Sequence, residues 1–393
     1  MRLKILCGWI GLLLITSACD KTGEDQDNNT QYHKLKQSLQ GYREIRDDGG
    51  WPVVRAKGVL MSGVKDKEVE VLRNRLSVTG ELKNKYSNTH NSMFDDDVKK
   101  AVIRFQRDHG LTPTGVVDKR TLFELNIPVE YRLLQIEKNM DRWKNFRRDK
   151  EEDFIMVNIA DFSLQAVEHD SVQLQMNVLV GKLYRKTPTF SEKMTQIEFN
   201  PKWHVPPTIL KEDMIPKIKA DSGYLRKNNL KVFVNNEVAD ASKIDWQEDP
   251  APHVSLVRDA DPQNPLGVVK FLFPNKYSVY MHDTPQKDLF KKNKFTASSG
   301  CIRLEKAPEL AYYIMSRDRG WNHAKVDSVI RRGETKRFNL EKPIMVHIQY
   351  FTCWVDKQGE LQFRRDIYGR DARVERSEKE EAKKVQDRNG GDW

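Results

Sequence analysis

The chain has 393 residues, of which 67 are basic and 57 acidic, a formal charge of +10. That length exceeds one ordinary domain, and 38% hydrophobic residues suffice for more than one core while 32% charged residues imply a wet surface. The charge favours an anionic partner, although a solvated basic surface accounts for it equally. No zinc-finger spacing, helix-turn-helix signal or aromatic-interleaved basic patch argues for nucleic acid.

The N-terminus reads as an export signal. Arg2 and Lys4 precede an apolar run, residues 5–15, that has the length of a signal core and is too short to span a bilayer. Thr16-Ser17-Ala18-Cys19 then resembles a bacterial lipobox in which Cys19 is lipidated and becomes the mature N-terminus. Thr16 departs from the usual Leu, and simple cleavage near Ala18 is the alternative. The expected compartment is the periplasm of a Gram-negative bacterium, with a membrane anchor. Of the four cysteines, Cys7 leaves with the signal, so Cys301 and Cys353 remain beside Cys19. An oxidising compartment permits a disulfide between them, and a thiol kept free there usually has a task.

Residues 20–31 are polar and acidic and read as a tether. Leu35, Leu39 and Tyr42 give helical spacing over 32–45, broken by Gly49-Gly50-Trp51-Pro52. Residues 59–127 form a compact helical unit. Val69, Leu72 and Leu76 mark one helix. Asp95-Asp96-Asp97 cap a second that carries Val98, Val102 and Phe105, and Gly110 stops it. Asp118 begins a third with Leu122 and Leu125. Leu133, Ile136, Met140 and Trp143 fall on one face of an amphipathic helix over 129–148.

From Phe154 the period changes to that of strands: 154–159, 163–167, 176–181, 270–273 and an alternating 277–282. Residues 200–260, with Pro201, Pro206, Pro207 and a helical 211–220, interrupt this region as an insertion. One late helix over 308–315 and a hairpin around 356–359 follow, and the charged end from about 373 frays. The expected fold is α+β and multidomain. Its divisions are 1–18 signal, 19–58 tether and scaffold helix, 59–127 helical domain, 128–150 connecting helix, 151–372 mixed β-rich domain with 200–260 inserted, and 373–393 tail.

The chemistry concentrates in 279–304. His282 ends a strand, Ser298-Ser299-Gly300-Cys301 makes a tight turn, and Ile302-Arg303-Leu304 leads toward a helix. Cysteine catalysis needs a thiolate, a base and oxyanion donors. His282 supplies the base, and Gly300 lets the backbone turn so that amides near Cys301 face a developing oxyanion. The orienter of His282 is either the Asp283 carbonyl or its carboxylate. A lone strand-end histidine is usually structural and a lone cysteine usually a small buried hydrophobe; together, in an exported chain with few cysteines, they exceed chance. His204, His253 and His347 lie singly, without ligand spacing, so no metal is expected.

HDTP followed by SSGCIR resembles the L,D-transpeptidase (YkuD-type) motif, a histidine, a spacer, then Ser/Thr-His-Gly-Cys. His282 matches the first histidine, Ser298 the Ser/Thr, Gly300 the glycine and Cys301 the nucleophile. Ser299 stands where many members carry a second histidine, a departure shared by the long branch that bears a peptidoglycan-binding unit. The string FQRDHGLTPTGVVDKRTLFELN at 105–126 resembles the three-helix peptidoglycan-binding domain found on many wall enzymes, a small helical spacer without ligand affinity being the alternative, and NPKWHVPPTI at 200–209 and RDADPQNPLG at 258–267 are similar to the long branch. The resemblance implies a three-helix peptidoglycan-binding domain, a catalytic domain with an inserted lid that excludes water, and ping-pong acyl transfer without metal or organic cofactor. Cys301 would attack the diaminopimelate carbonyl of a tetrapeptide stem, D-Ala would leave, and a second stem's amine would resolve the thioester into a 3→3 cross-link. Such enzymes resist most penicillins and are acylated by carbapenems.

On the substrate side the resemblance places Arg303, against a stem carboxylate or in a structural ion pair, with Ser298, Ser299, Trp203 and Tyr280. Trp203 lines the cleft or belongs to a core, and of Tyr277 and Tyr280 only one faces the site. The implied partners are peptidoglycan stems as donor and acceptor, and a membrane through lipidated Cys19, with no nucleic acid. A protein acceptor and a non-catalytic wall-binding lipoprotein are the alternatives. A papain-like hydrolase has its cysteine before its histidine, and a sortase has its histidine farther upstream.

Overall fold

The computed structural model describes residues 26–83, 91–146, 153–246, 253–292 and 295–371. The expected signal, Cys19 and the charged tail lie outside them.

Helix α1 (Gln26–Asp47) runs against α5 (Val129–Asn145), and between them the helical unit folds as α2 (Lys67–Val78), α3 (Asp96–Asp108) and α4 (Lys119–Leu125). Each of the three short helices starts on an aspartate whose carboxylate caps a free amide: Asp66 to Glu68 N, Asp95 to Val98 N, Asp118 to Thr121 N. Their apolar faces meet in one core of Val69, Leu72, Leu76, Val98, Val102, Phe105 and Leu125. Residues 26–31, expected as tether, are instead the first turns of α1. The reason is tertiary: the Gln31 amide pairs in both directions with the Val355 backbone, at 2.8 and 3.2 Å.

The second unit is a nine-stranded mixed sheet. In chain order its first strands are β1 (Asp153–Asn158), β2 (Ser163–Glu168), β3 (Ser171–Gly181) and β4 (Phe190–Phe199). The inserted segment carries a separate four-stranded sheet, β5 (Trp203–His204), β6 (Leu230–Val234), β7 (Glu237–Ala239) and β8 (Val254–Arg258). The main sheet resumes with β9 (Val269–Leu272), β10 (Met281–His282), β11 (Thr296–Ser298), β12 (Ile302–Leu304) and β13 (Lys336–Gln349), and β14 (Cys353–Val355) with β15 (Leu361–Phe363) form a hairpin. The main order is β11-β3-β12-β10-β9-β4-β13-β1-β2. The first part of β3 also pairs with β2 while its end pairs with β12 and β11, so the sheet rolls back on itself. Its inner face, with Ile155, Val157, Val178, Ile197, Phe271, Met281 and Ile302, packs against helix Ala307–Arg319.

Two expectations change here. The alternating 277–282 is a strand only at Met281–His282. The Asn275 side chain bonds the backbone of Phe273, Tyr277 and Val279 and closes a turn in which Ser278 takes φ +54°. Two late helices also replace one: Gly320 ends Ala307–Arg319 in the left-handed region, and the Asn322 side chain caps His323–Arg331.

The helical unit is bolted to the hairpin. His109 stacks between Phe105 (3.8 Å) and Phe363 (5.4 Å), and Arg132 pairs with Glu124 at 2.8 Å while lying 4.6 Å over the Phe363 ring. Gln362 donates to the Asp108 carboxylate and Arg364 to its carbonyl. Cys353 is fully buried in the cluster beneath α1 and α5 and is a free thiol, as is Cys301.

Candidate active site

Three adjacent strands build the site. Phe271 of β9, Met281 of β10 and Ile302 of β12 are direct register partners and all point into the core. Strand alternation therefore sends their neighbours to the other face. There Lys270, His282 and Arg303 stand in one cross-strand row, and Glu198 of β4 extends it beyond Lys270. One step back Tyr280 stands beside Cys301, where the Ile302 amide donates to the Tyr280 carbonyl at 3.1 Å. The sheet thus brings Tyr280, His282, Cys301 and Arg303 to one face of two neighbouring strands.

The turn before Cys301 is held from several sides. Gly300 has φ +112°, a conformation that a side chain rarely tolerates. The Ser298 hydroxyl donates to the Cys301 carbonyl (2.5 Å) and accepts from the Gly300 amide (3.2 Å). Behind it the fully buried Thr187 hydroxyl donates to the Gly300 carbonyl and accepts from the Gly181 amide, both at 2.9 Å. Ser298, expected on the substrate side, is buried and holds the turn's shape.

His282 is buried, with Nδ1 2.5 Å from the Asp283 carbonyl. A carbonyl only accepts, so Nδ1 carries the proton and Nε2 keeps its lone pair. Of the two possible orienters, the backbone carbonyl is the one found. The Asp283 carboxylate faces elsewhere: it accepts from the Val268 amide (3.0 Å) and from Lys287 Nζ (2.7 Å), and Lys287 also binds the carbonyls of Leu304 and Glu305. Asp283 is therefore a brace between β10 and β12.

Burial, and secondarily the Arg303 charge, push the His282 pKa down to about 3, so the imidazole is neutral. Burial raises the Cys301 thiol; the Tyr280 amide, Lys270, the Tyr280 phenol and Arg303 act against that and favour the thiolate. Lys270 lies 4.0 Å over the Tyr280 ring, and burial lowers its own pKa. At neutral pH the Cys301 thiol and the His282 imidazole are thus both uncharged, with Lys270 and Arg303 near the sulfur and favouring its thiolate form. Arg303 donates to Gln286 Oε1 (2.8 Å), and its buried Nε has no hydrogen-bond partner among the described residues.

Of the other expected residues, Ser299 accepts from Arg185 Nη1 at 2.9 Å. Trp203 packs on the core of the insertion, with Val205, Leu210 and Ile218. Tyr277 is 44% exposed and rests on Phe190, so Tyr280 is the tyrosine at the thiol. Sequence reasoning missed Lys270, Thr187 and Arg185. Only the period-2 relation of Lys270 to Phe271 was available as a signal. Among the described residues one trio, Asp153, Glu168 and His169, brings metal-type ligands together, but the Arg317 guanidinium already pairs with its two carboxylates.

Residues 152–329 match the family model of the L,D-transpeptidase catalytic domain, and residues 65–125 match the "Putative peptidoglycan binding domain". A protein of Haemophilus influenzae named "Putative L,D-transpeptidase" is 32% identical over 225 residues, 57% of this chain; the match spans about half (46%) of that relative's length. Among solved structures, an L,D-transpeptidase from Stackebrandtia nassauensis is 12% identical, with 76% of this chain and 96% of that one covered at a TM-score of 0.27. One from Mycobacterium smegmatis is 12% identical, with 50% and 58% covered at 0.23. By these family models, residues 152–329 are similar to the L,D-transpeptidase catalytic domain of the YkuD family and residues 65–125 to a peptidoglycan-binding domain.

Proposed function

We propose that the protein cross-links peptidoglycan as a cysteine L,D-transpeptidase, with Cys301 as nucleophile and His282 as base. The observation that carries this reading is the shared sheet face of Tyr280, His282, Cys301 and Arg303, with the imidazole held neutral and its Nδ1 bound to the Asp283 carbonyl.

In the proposed reaction Nε2 takes the Sγ proton as sulfur attacks the donor stem's carbonyl carbon. Gly300 gives its amide to Ser298 and Ile302 gives its own to Tyr280, which leaves the Cys301 amide as the donor we assign to the oxyanion. The C–N bond breaks, D-Ala leaves with the proton from His282, and a thioester remains. The amine of a second stem then attacks and loses its proton to His282. The C–S bond breaks, the 3→3 amide forms, and the proton returns to sulfur. Lys270 and Arg303 stabilise the anionic sulfur in both halves, and Arg303 is assigned to a stem carboxylate. The inserted segment acts as a lid that keeps water from the thioester. The peptidoglycan-binding domain supports the wall polymer as partner. The signal-like start with Cys19 supports a periplasmic, lipid-anchored protein.

The test incubates the full-length mature chain with disaccharide-tetrapeptide and follows products by mass spectrometry. A dimer that has lost one D-Ala, bridged between the third residues, is expected from the wild type and not from Cys301→Ala. Equal dimer from Cys301→Ala would refute the assignment. A carbapenem adduct confined to Cys301 is the covalent counterpart.

A further inference from the structure

We infer that Arg185 is a positioning residue that couples the inserted lid to the turn carrying Cys301. It lies between β3 and β4, in the segment running directly behind the nucleophile turn. A Cβ placed on Gly181 would sit 2.1 Å from the Arg185 carbonyl oxygen, and one on Gly300 would sit 3.9 Å from it. Its side chain is 13% exposed and reaches four acceptor atoms on three residues of two other segments. Nη1 donates to Asp213 Oδ2 (2.5 Å) and to Ser299 Oγ (2.9 Å); Nη2 donates to Glu212 Oε2 (2.5 Å) and to Asp213 Oδ1 (3.1 Å).

Glu212 and Asp213 belong to the lid, and Ser299 is two residues before Cys301. One guanidinium therefore ties the lid to the catalytic turn through charge-assisted, partly bidentate bonds. The Asp213 carboxyl is held below its usual range mainly by this hydrogen bond. The backbone under the two acids is a π turn, Leu210–Met214, set between helical residues 207–209 and 215–220. Such π turns are rare and, inside α-helices, recur at functional positions. Here the irregularity falls on the residues that Arg185 grips. A lysine has the charge but not the planar fork, so it cannot hold these three residues in fixed directions.

Closing the lid completes the coordination of Arg185 and fixes Ser299. Opening it leaves the guanidinium hydrated and the turn less constrained. In this way the lid's position is transmitted to the sulfur's immediate backbone, and the thioester is formed and resolved in the closed, dry arrangement. The inference rests on Cys301 being the acylated residue.

The test uses the full-length mature chain with Arg185→Gln, Arg185→Lys, the lid double variant Glu212→Gln/Asp213→Asn, and the triple combination. Two readouts are taken: the ratio of hydrolysed tripeptide to cross-linked dimer, and amide hydrogen exchange in the inserted segment. Arg185→Gln and the double variant should each raise the hydrolysed share by about tenfold and speed lid exchange. The triple variant should do no more than either alone, because both remove the same link. Arg185→Lys should fall between. Ratios and exchange within twofold of wild type, or effects that multiply in the triple variant, overturn the inference. If Arg185→Gln does not fold, the double variant poses the same question from side chains that are 54% and 36% exposed. A wild type that forms no thioester defeats the transpeptidase reading instead, while lid exchange still reports on the latch.

Discussion

Thr187→Val exchanges one hydroxyl for a methyl of nearly the same size. That hydroxyl joins the Gly181 amide to the Gly300 carbonyl at 2.9 Å each, in a place with no solvent access. The valine leaves one buried donor and one buried acceptor unpaired, and each such group costs about 1–3 kcal/mol, so the sum is about 2–6 kcal/mol. Thr187→Ser keeps the hydroxyl and removes one methyl, a loss of about 1 kcal/mol. For a domain of this size 1 kcal/mol corresponds to roughly 2–4 °C, so valine should lower the transition of the β-rich domain by roughly 4–24 °C and serine by roughly 2–4 °C. Differential scanning calorimetry on the mature chain reads both. If serine proves worse than valine, packing and not hydrogen bonding is the role of Thr187, and the bracing of the Gly300 turn is refuted. If Cys301 is the nucleophile as proposed, valine should also lower kcat more than serine does, because the freed carbonyl belongs to the residue before it.

Further outcomes follow from the same geometry. Iodoacetamide under native conditions should label Cys301 and spare Cys353, whose thiol is fully buried with its pKa pushed well up; Cys353→Ala should keep activity, and preferential labelling of Cys353 by peptide mapping would contradict this. The His282 pKa near 3 lies below the ordinary 6.5, so its contribution to stability is complete above pH 6.5. It is lost as pH falls toward 3, by up to about 1.4 kcal/mol per pH unit. A His282→Gln chain should show a shallower fall of melting temperature with acid than wild type, and the wild-type rate should have no acid limb near pH 6.5. Gly267→Ala puts a Cβ 2.2 Å from Asp283 Oδ2 at φ +59°. Beyond the roughly 1–2 kcal/mol of backbone strain, it should displace Asp283 and its carbonyl and reduce kcat about tenfold or more, with kcat unchanged as the contrary result.

The sequence revealed most where local chemistry decides. Aspartate caps, the Gly110 stop and the β14–β15 hairpin are written in residues that act within a turn. It misled where a side chain far along the chain intervenes: α1 begins at Gln26 because Gln31 meets Val355, 324 residues away. The Tyr277–Tyr280 alternation resembles a strand, but Asn275 binds that backbone first. His282, Gly300 and Cys301 stand out in the sequence because histidine and cysteine are scarce and the order of the three is distinctive. Lys270, Thr187 and Arg185 do not, since an exposed-looking lysine, a threonine before proline and an arginine in a basic loop acquire meaning only through strand register and the approach of the inserted segment.

The bolted joint between helical domain and hairpin has a consequence for reach. His109, Arg132, Gln362 and Arg364 replace a flexible connector by stacked rings, a buried ion pair and crossing hydrogen bonds. A slack connector would let the enzyme sweep a volume and find cross-linking partners at many distances. A bracket offers one stand-off and one bearing. On the proposed function, any strand held by the helical domain would meet the sulfur at a set distance along it, so the spacing of the polymer itself would decide which stems come within range.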